Sequence, residues 1–413
     1  MMLHRMLAGW MLLLAAVAGW AGEALVVATY PNLDRVIKLV EPLWRQRHPD
    51  VPIKLVTRSF ADHQTAMTTA LAAGSGLPDL MGIEVGYIAR FAASGALTDL
   101  AAAPFDAGRW RDDYPRYAWA QATSGKELAA LPVDIGPGTL FYRQDLLAAA
   151  GVGEGELSRT WDSYLAAGRK LKARGAYLLA HARDLKDLYL RASLKDGEGV
   201  YFDGAGKPLV RSVRFVKAFE LALAARKAGL DARVSTYTPA WGDALRKGRI
   251  ATQASGSWMA GHLETWLAPQ TRGLWRVTAM PAGAHATWGG SFYAIPRAST
   301  KKALAWELLQ LLAHDRAIQL AALKHDDVKA FPALLAAQDD PLFETPVAFL
   351  GGQRAWQLWR ASALRVPALV ANRNDALAEE MVNAELDLVL DQDKPIAAAL
   401  ADAERQILRR ARR

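Results

Sequence analysis

Cysteine is absent from all 413 residues, so disulfides are excluded, and so is a lipid attached to an amino-terminal cysteine. Catalytic signatures are missing as well: there is no G-x-S-x-G, no H-E-x-x-H, no Walker A loop and no G-x-G-x-x-G after a strand. "HLETW" (262–266) lacks a second histidine one helical turn on. "HDD" (325–327) would need three adjacent residues to converge on one ion, so a polar turn is the simpler reading, and neither metal nor cofactor is expected. Paired acids such as Glu379–Glu380 read as a helix surface, although a glycosidase needs only two carboxyls facing across a cleft. No basic stripe interleaved with aromatics runs along the chain. Half of the formal net charge of +8 sits in the final "ERQILRRARR", which suits a solvated helix end, and nucleic acid is not an expected partner.

Long apolar runs are scarce. Residues 7–18 form one, behind His4 and Arg5, but it falls short of the ~20 residues of a membrane-spanning helix. With small residues following, it reads as a secretory signal over 1–24, cleaved after Ala21 (Gly19 at −3) or after Ala24 (Gly22 at −3). An exported chain without disulfides must rest on its core, and the remaining length exceeds what one core usually serves. Two domains are expected.

What is present alternates. "ALVVATY" (24–30), "VPIKLVT" (51–57) and "PDLMGIE" (78–84) read as strands, with helices between and after them. Asn32 is placed to cap the first helix, which Pro42 should kink or shorten, and Gly74 to stop the second. This order implies a parallel, doubly wound sheet, whose ligands bind beyond the carboxyl ends of the strands, where Tyr30, Pro31, Asn32 and Glu84 fall. A second alternating region opens at "ELAALPVDIGPGTLFYRQDLLAAAG" (127–151). Thr160 caps a helix beyond it, "RIATQASGSW" (249–258) and "FYAIP" read as strands, Ser299 caps a long helix, and residues from about 331 are mostly helical.

Tryptophan is plentiful, at fourteen residues. Trp44, Trp161 and Trp306 fall on apolar helix faces and belong to the core. Trp241, Trp258 and Trp288 each follow a loop or strand end beside small residues. They are either packing residues or flat walls for a ligand such as a sugar, whose C–H face suits an indole and whose hydroxyls suit nearby polar groups. "TWGGSFYAIP" (287–296) poses the choice most sharply, with an indole beside two glycines and a serine.

"LAAGSGLPDLMGIEVGYIARFAASGALTDL" (71–100), "LPVDIGPGTLFYRQDLLAAAGV" (131–152), "TWDSYLAAGRKLK" (160–172), "ALRKGRIATQASGSWMAGHLETW", "TWGGSFYAIPRASTKKALAWELLQLL" and "FLGGQRAWQLW", in this order, resemble the sugar-binding, maltose-binding-protein-like family of extracellular solute-binding proteins of ABC importers. The resemblance implies a type II periplasmic binding protein fold, with hinge strands joining two doubly wound α/β lobes. By position, the lobes are 25–132 plus 288–328 and 137–282 plus 332–413, with crossings near 133–136, 281–288 and 327–331. It implies a non-enzymatic, monomeric periplasmic receptor that closes on a carbohydrate and delivers it to membrane permease subunits, or that serves a sensory partner instead. Carried over residue by residue, Tyr30, Asn32, Gln64 and Glu84 line the first lobe, Asp134 the hinge, and Trp241 and Trp258 the second lobe. Trp288 would stack on the ligand, Gly289 and Gly290 let the backbone approach it, Ser291 hydrogen-bonds it, and Gln353 belongs to the same set. Two departures are "TYPNLD" in the first loop and a high pI. They keep open a phosphorylated or acidic solute such as a glycerophosphodiester, which would require cations in the cleft; a secreted carbohydrate hydrolase is the enzymatic alternative.

Overall fold

The computed structural model describes residues 23–326 and 328–411. Residues 1–22 of the expected signal, and Asp327 of both the third crossing and the "HDD" run, lie outside the described residues. Among the described residues, no helix is long and apolar enough to cross a membrane.

The first sheet is assembled as the alternation requires. Strands β1 (Leu25–Thr29), β2 (Ile53–Thr57) and β3 (Leu80–Glu84) are parallel, in the order β2-β1-β3. Helices α1 (Leu33–Arg47) and α2 (Phe60–Ala73) connect them, and α3 (Val85–Ala92) follows. Val27, Leu80 and Ile83 are buried, as expected of strands covered on both faces. Ser59 caps α2 by accepting from the Asp62 N–H, and Gly74 ends it at φ 63°.

Two local expectations are corrected. Asn32 makes no side-chain cap hydrogen bond; it sits at φ 81°, a strained left-handed conformation that turns the chain from β1 into α1. Pro42 neither shortens nor ends α1. Pro42 lies on the exposed side, as does Lys38 one turn before it, so the carbonyl that loses its donor faces solvent.

After α4 (Arg116–Ala122) and the short hairpin β4 (Thr123–Ser124) and β5 (Glu127–Leu128), strand β6 (Leu131–Arg143) belongs to two neighbourhoods. Its first half pairs with β9 (Thr287–Ala294), which in turn pairs antiparallel with β3. Its second half pairs antiparallel with β7 (Thr252–Gly256) and β8 (Trp275–Thr278). One seven-stranded hydrogen-bonded sheet therefore runs through the molecule, with β6 passing from one half to the other. Around β6 the second half is antiparallel, because the strands beside it are returns of the chain. Its parallel character survives in bridges such as Tyr177–Ile250 and Leu179–Asp231. The second half holds two further buried clusters, one around Leu140, Leu165 and Leu185 and one around Phe215, Phe219 and Leu386.

Thr160 caps its helix as expected, accepting from the Ser163 N–H. Ser299 does not cap the helix Lys302–His314. Its hydroxyl donates to Asp79 at 2.7 Å and accepts from the Lys301 N–H, fastening the loop to the start of β3. Trp44 and Trp306 are buried, and Trp161 is half-buried against the second cluster.

Candidate functional site

The site starts from strand register. Glu84 on β3 pairs with Ser291 on β9, and Ser291 pairs with Asp134 on β6. Paired residues on adjacent strands point to the same face, so the three side chains form a carboxylate–hydroxyl–carboxylate row. With strands ~4.8 Å apart, the two carboxylates are separated by roughly 10 Å. Tyr30, at the end of β1, faces both Ser291 and Asp134. Its ring packs on His63 and Phe60 of α2, with centroids 5.5 and 5.3 Å away. Gln64, the next residue of α2, is fully buried with neither amide atom hydrogen-bonded. A buried amide without partners costs free energy that a polar ligand could recover.

Burial governs the titration of this row. It pushes the Glu84 carboxyl up to about 7, against the Gly86 N–H and the Arg191 guanidinium, which draw it down. Burial likewise pushes Asp134 up to about 6, opposed by Ser291.

The facing wall comes from the helix Ala182–Ala192. Asp184, Asp187 and Arg191 recur at spacings of three and four, hence on one helical face. Arg191 is within electrostatic reach of Glu84, lies 5.2 Å from the centre of the Trp288 ring, and donates to the Thr287 carbonyl at 3.2 Å. Burial pushes Asp184 up to about 7, and the Asp187 charge adds to it. Tyr237 faces Asp184, Arg191 and Glu84, and is 62 % exposed. It holds φ 63°, a conformation a bulky side chain adopts only under constraint and one that clusters at functional sites. Glu379, on the helix Asp375–Gln392, completes the wall beside Glu84 and Tyr201.

Trp258 and Trp288 stand at the hinge between the walls. The Trp258 indole N–H donates to the Trp288 carbonyl at 2.8 Å, and both rings are half-buried. The glycines around them have a purpose that the sequence reading did not supply. A Cβ on Gly136 would collide with the Trp288 carbonyl oxygen, and one on Gly289, which holds φ 76°, would come within 3.0 Å of the Trp258 indole nitrogen. The close approach is of chain to chain.

Three assignments are corrected. Trp241 is 2 % exposed, with its indole N–H donated to Gln253 at 3.0 Å, so it packs behind the wall. The aromatic it supports is Tyr237, ring centres 5.3 Å apart, with Trp258 on the other side at 6.3 Å. Gln353 is occupied: its amide accepts from the Val277 N–H and donates to the Val277 carbonyl, closing the end of β8. Glu379 is not simply helix surface, whereas Glu380 is exposed and pairs with Arg410 at 3.7 Å. Sequence reasoning missed Asp184, Arg191 and Tyr237; the one signal available was the charged face of 184–191.

This geometry, two α/β halves sharing hinge strands and facing each other across polar walls, is that of a solute-binding protein. The chain belongs to the family of bacterial extracellular solute-binding proteins, whose model matches residues 41–351. It is 28 % identical over 377 residues, 86 % of either chain, to the lactose-binding protein of Rhizobium radiobacter. Among solved structures it resembles an extracellular solute-binding protein of family 1, with a TM-score of 0.83 at 24 % identity over 94 % of this chain and all of that one. It also resembles the galacto-N-biose/lacto-N-biose I-binding protein of Bifidobacterium longum, with a TM-score of 0.78 at 17 % identity over 94 % and 96 % of the two chains. These likenesses establish the two-lobed fold.

Proposed function

We propose that this protein is the exported, monomeric receptor of an ABC importer, and that it binds a neutral carbohydrate between the Glu84–Ser291–Asp134 row and the Asp184–Arg191–Tyr237 wall. The row carries the reading: two desolvated carboxylates flanking a hydroxyl, with aromatic rings at the hinge, suit sugar hydroxyls above an apolar ring face. The similarity to a lactose-binding protein points the same way. Tyr30, Gln64, Glu84, Asp134, Trp258, Trp288 and Ser291 remain binding residues in this proposal; Asp184, Arg191, Tyr237 and Glu379 join them, and Trp241 and Gln353 leave.

The lobes are taken as 25–132 plus 288–328 and 137–282 plus 332–413, with β6 and β9 as two of the hinges. Ligand stabilises the closed form because only there does it touch both walls, and the closed form is what the permease reads. The precursor is cleaved near residue 21 or 24 and released to the periplasm, and no chemical step is performed on the sugar. A phosphorylated solute fits poorly, since carboxylates outnumber Arg191, whose guanidinium is already engaged by Trp288 and Thr287.

The test is thermal shift and tryptophan fluorescence over a panel of mono- and oligosaccharides alongside glycerophosphodiesters. A sugar should raise the melting temperature and change the emission, and Trp288→Ala should weaken binding at least tenfold. A flat response to every sugar, with a shift from a phosphodiester, would overturn the assignment.

A further inference from the structure

A chain whose formal net charge is +8 gathers acids in its cleft. Glu84 and Asp134 stand on the first wall; Asp184, Asp187, Asp375 and Glu379 stand on the second. They form one electrostatic group. Glu84 lies within reach of Asp134 and Glu379, Asp184 of Asp187, and the Tyr201 hydroxyl of Glu379, Asp187 and Asp375.

Three cations approach this group, and two of them are already paired. Lys186, fully buried, pairs with Asp187, and Arg183 pairs with Asp387 at 3.2 Å. Arg191 is the third, with its guanidinium on the Thr287 carbonyl and the Trp288 ring. Glu84, Asp134, Asp184, Asp375 and Glu379 therefore share one positive charge between them. Acids of one sign in a shielded cleft focus a potential that draws a cation.

A second observation is independent of the charge count. Tyr30 is 6 % exposed and faces Asp134 and Glu84, and its hydroxyl has no hydrogen-bond partner. One oxygen of Asp375 accepts from the Asn372 N–H at 2.8 Å, whereas the other is buried without a donor. Buried polar groups are satisfied as a rule, so the cleft is short of donors that a ligand would bring. Among the described residues, no three acidic or histidine side chains converge closely enough for a metal ion. Spacing of this kind suits a larger cation, and an ammonium on a sugar ring offers three N–H donors beside the hydroxyls.

The titration of the group is consistent with this. Burial pushes Glu84 and Asp184 up to about 7, and Asp134 and Asp375 up to about 6. A neighbouring ammonium favours the ionised carboxylates, so its arrival displaces their protons to solvent.

Resting on the carbohydrate reading above and going beyond it, we infer that the cleft prefers a sugar carrying a free ammonium group, held between Glu84 of the first wall and Asp184 and Glu379 of the second, to the neutral sugar of the same shape. The ammonium touches both walls only when the lobes are together, so it adds to closure.

Titration calorimetry on the mature protein tests this with matched probes. Galactosamine, glucosamine and the β-1,4-linked glucosamine dimer are compared with galactose, glucose and cellobiose, and with the N-acetylated forms as neutral controls. In at least one set the amine should bind about tenfold more tightly than its neutral partners at low salt. The preference should shrink as salt is added. At pH 7 the heat of amine binding should vary with the ionisation enthalpy of the buffer, reporting released protons, and that of the neutral sugar should not. Asp184→Asn and Glu379→Gln keep the shape of each side chain. Each should reduce the ratio of neutral to amine Kd by about threefold or more, beyond any loss common to both sugars. Equal affinity for amine and neutral sugar throughout, or a preference that survives both substitutions, overturns the inference and leaves the sugar receptor standing. So does a neutral sugar that binds when no amine does. If no sugar of either kind binds, the carbohydrate reading falls and takes this inference with it.

Discussion

On the first wall of the cleft, Glu84, Ser291 and Asp134 come from three different strands and are held in a row by ladder hydrogen bonds. On the second, Asp184, Asp187 and Arg191 come from one helix and stand together by the helical period. The strand row uses short side chains on a backbone fixed from both sides. The helix face uses charges of both signs, and its longest member, Arg191, reaches across to the hinge. The first wall is thus a template of fixed shape. The second supplies adjustable charge and, through Tyr237, an aromatic surface.

The most damaging way to break this comparison is to remove the joint that the walls share. Gly136→Ala should cost at least the about 1–3 kcal/mol of overpacking, because the obstacle is the Trp288 carbonyl and not a flexible side chain. Thermal unfolding should show a drop of several degrees, since each kcal/mol shifts Tm by about 2–4 °C in a lobe-sized unit of 150–250 residues. An unchanged Tm would mean that the hinge strands are not packed as described.

Next comes the ranking of the walls. Asp134→Asn should weaken sugar binding at least tenfold, and Asp184→Asn only a few-fold, when Kd is measured by titration. The reverse order would make the helix face the template.

A smaller effect is read on the first wall by pH. Burial raises Glu84 from the ordinary 4.5 to about 7, so between these values the native state retains a proton that the unfolded chain has released. Its contribution to stability therefore declines as pH rises through that window. Glu84→Gln removes the decline and keeps an acceptor for the Gly86 N–H. The variant's Tm relative to the parent should become more favourable from pH 5 to pH 8; a constant difference would show that Glu84 is solvated.

The smallest effect on binding is expected behind the second wall. Trp241→Phe loses the hydrogen bond to Gln253 and some packing, lowering Tm by a few degrees while sugar Kd stays within about threefold. A loss comparable to that of Trp288→Ala would return Trp241 to the ligand.

The first lobe was readable because its signals are local. "ALVVATY", "VPIKLVT" and "PDLMGIE" are short apolar runs bounded by turns, and the caps at Ser59 and Gly74 mark α2. Glu84 was legible as a polar residue at a strand's carboxyl end. The second wall was less so, because the sequence "HARDLKDLYLR" reads equally well as an exposed charged helix. Trp241 and Tyr237 show the limit most plainly. Four residues apart, both aromatic and both beside small or polar neighbours, they are exchanged by the fold: one is 2 % exposed and the other 62 %.

By itself, the sequence determined the order of the first three strands and the helices between them, the absence of disulfides, and the placement of Glu84 at a strand's carboxyl end, since these depend on composition, periodicity and turn chemistry within a few residues. The tertiary structure alone decided that Glu84, Ser291 and Asp134 share one row, that Arg191 and Glu379 face it, and which aromatic meets the cleft. Those outcomes depend on strand register and on which helix face packs inward, and both are fixed only when segments far apart in the chain bury their apolar surfaces against each other.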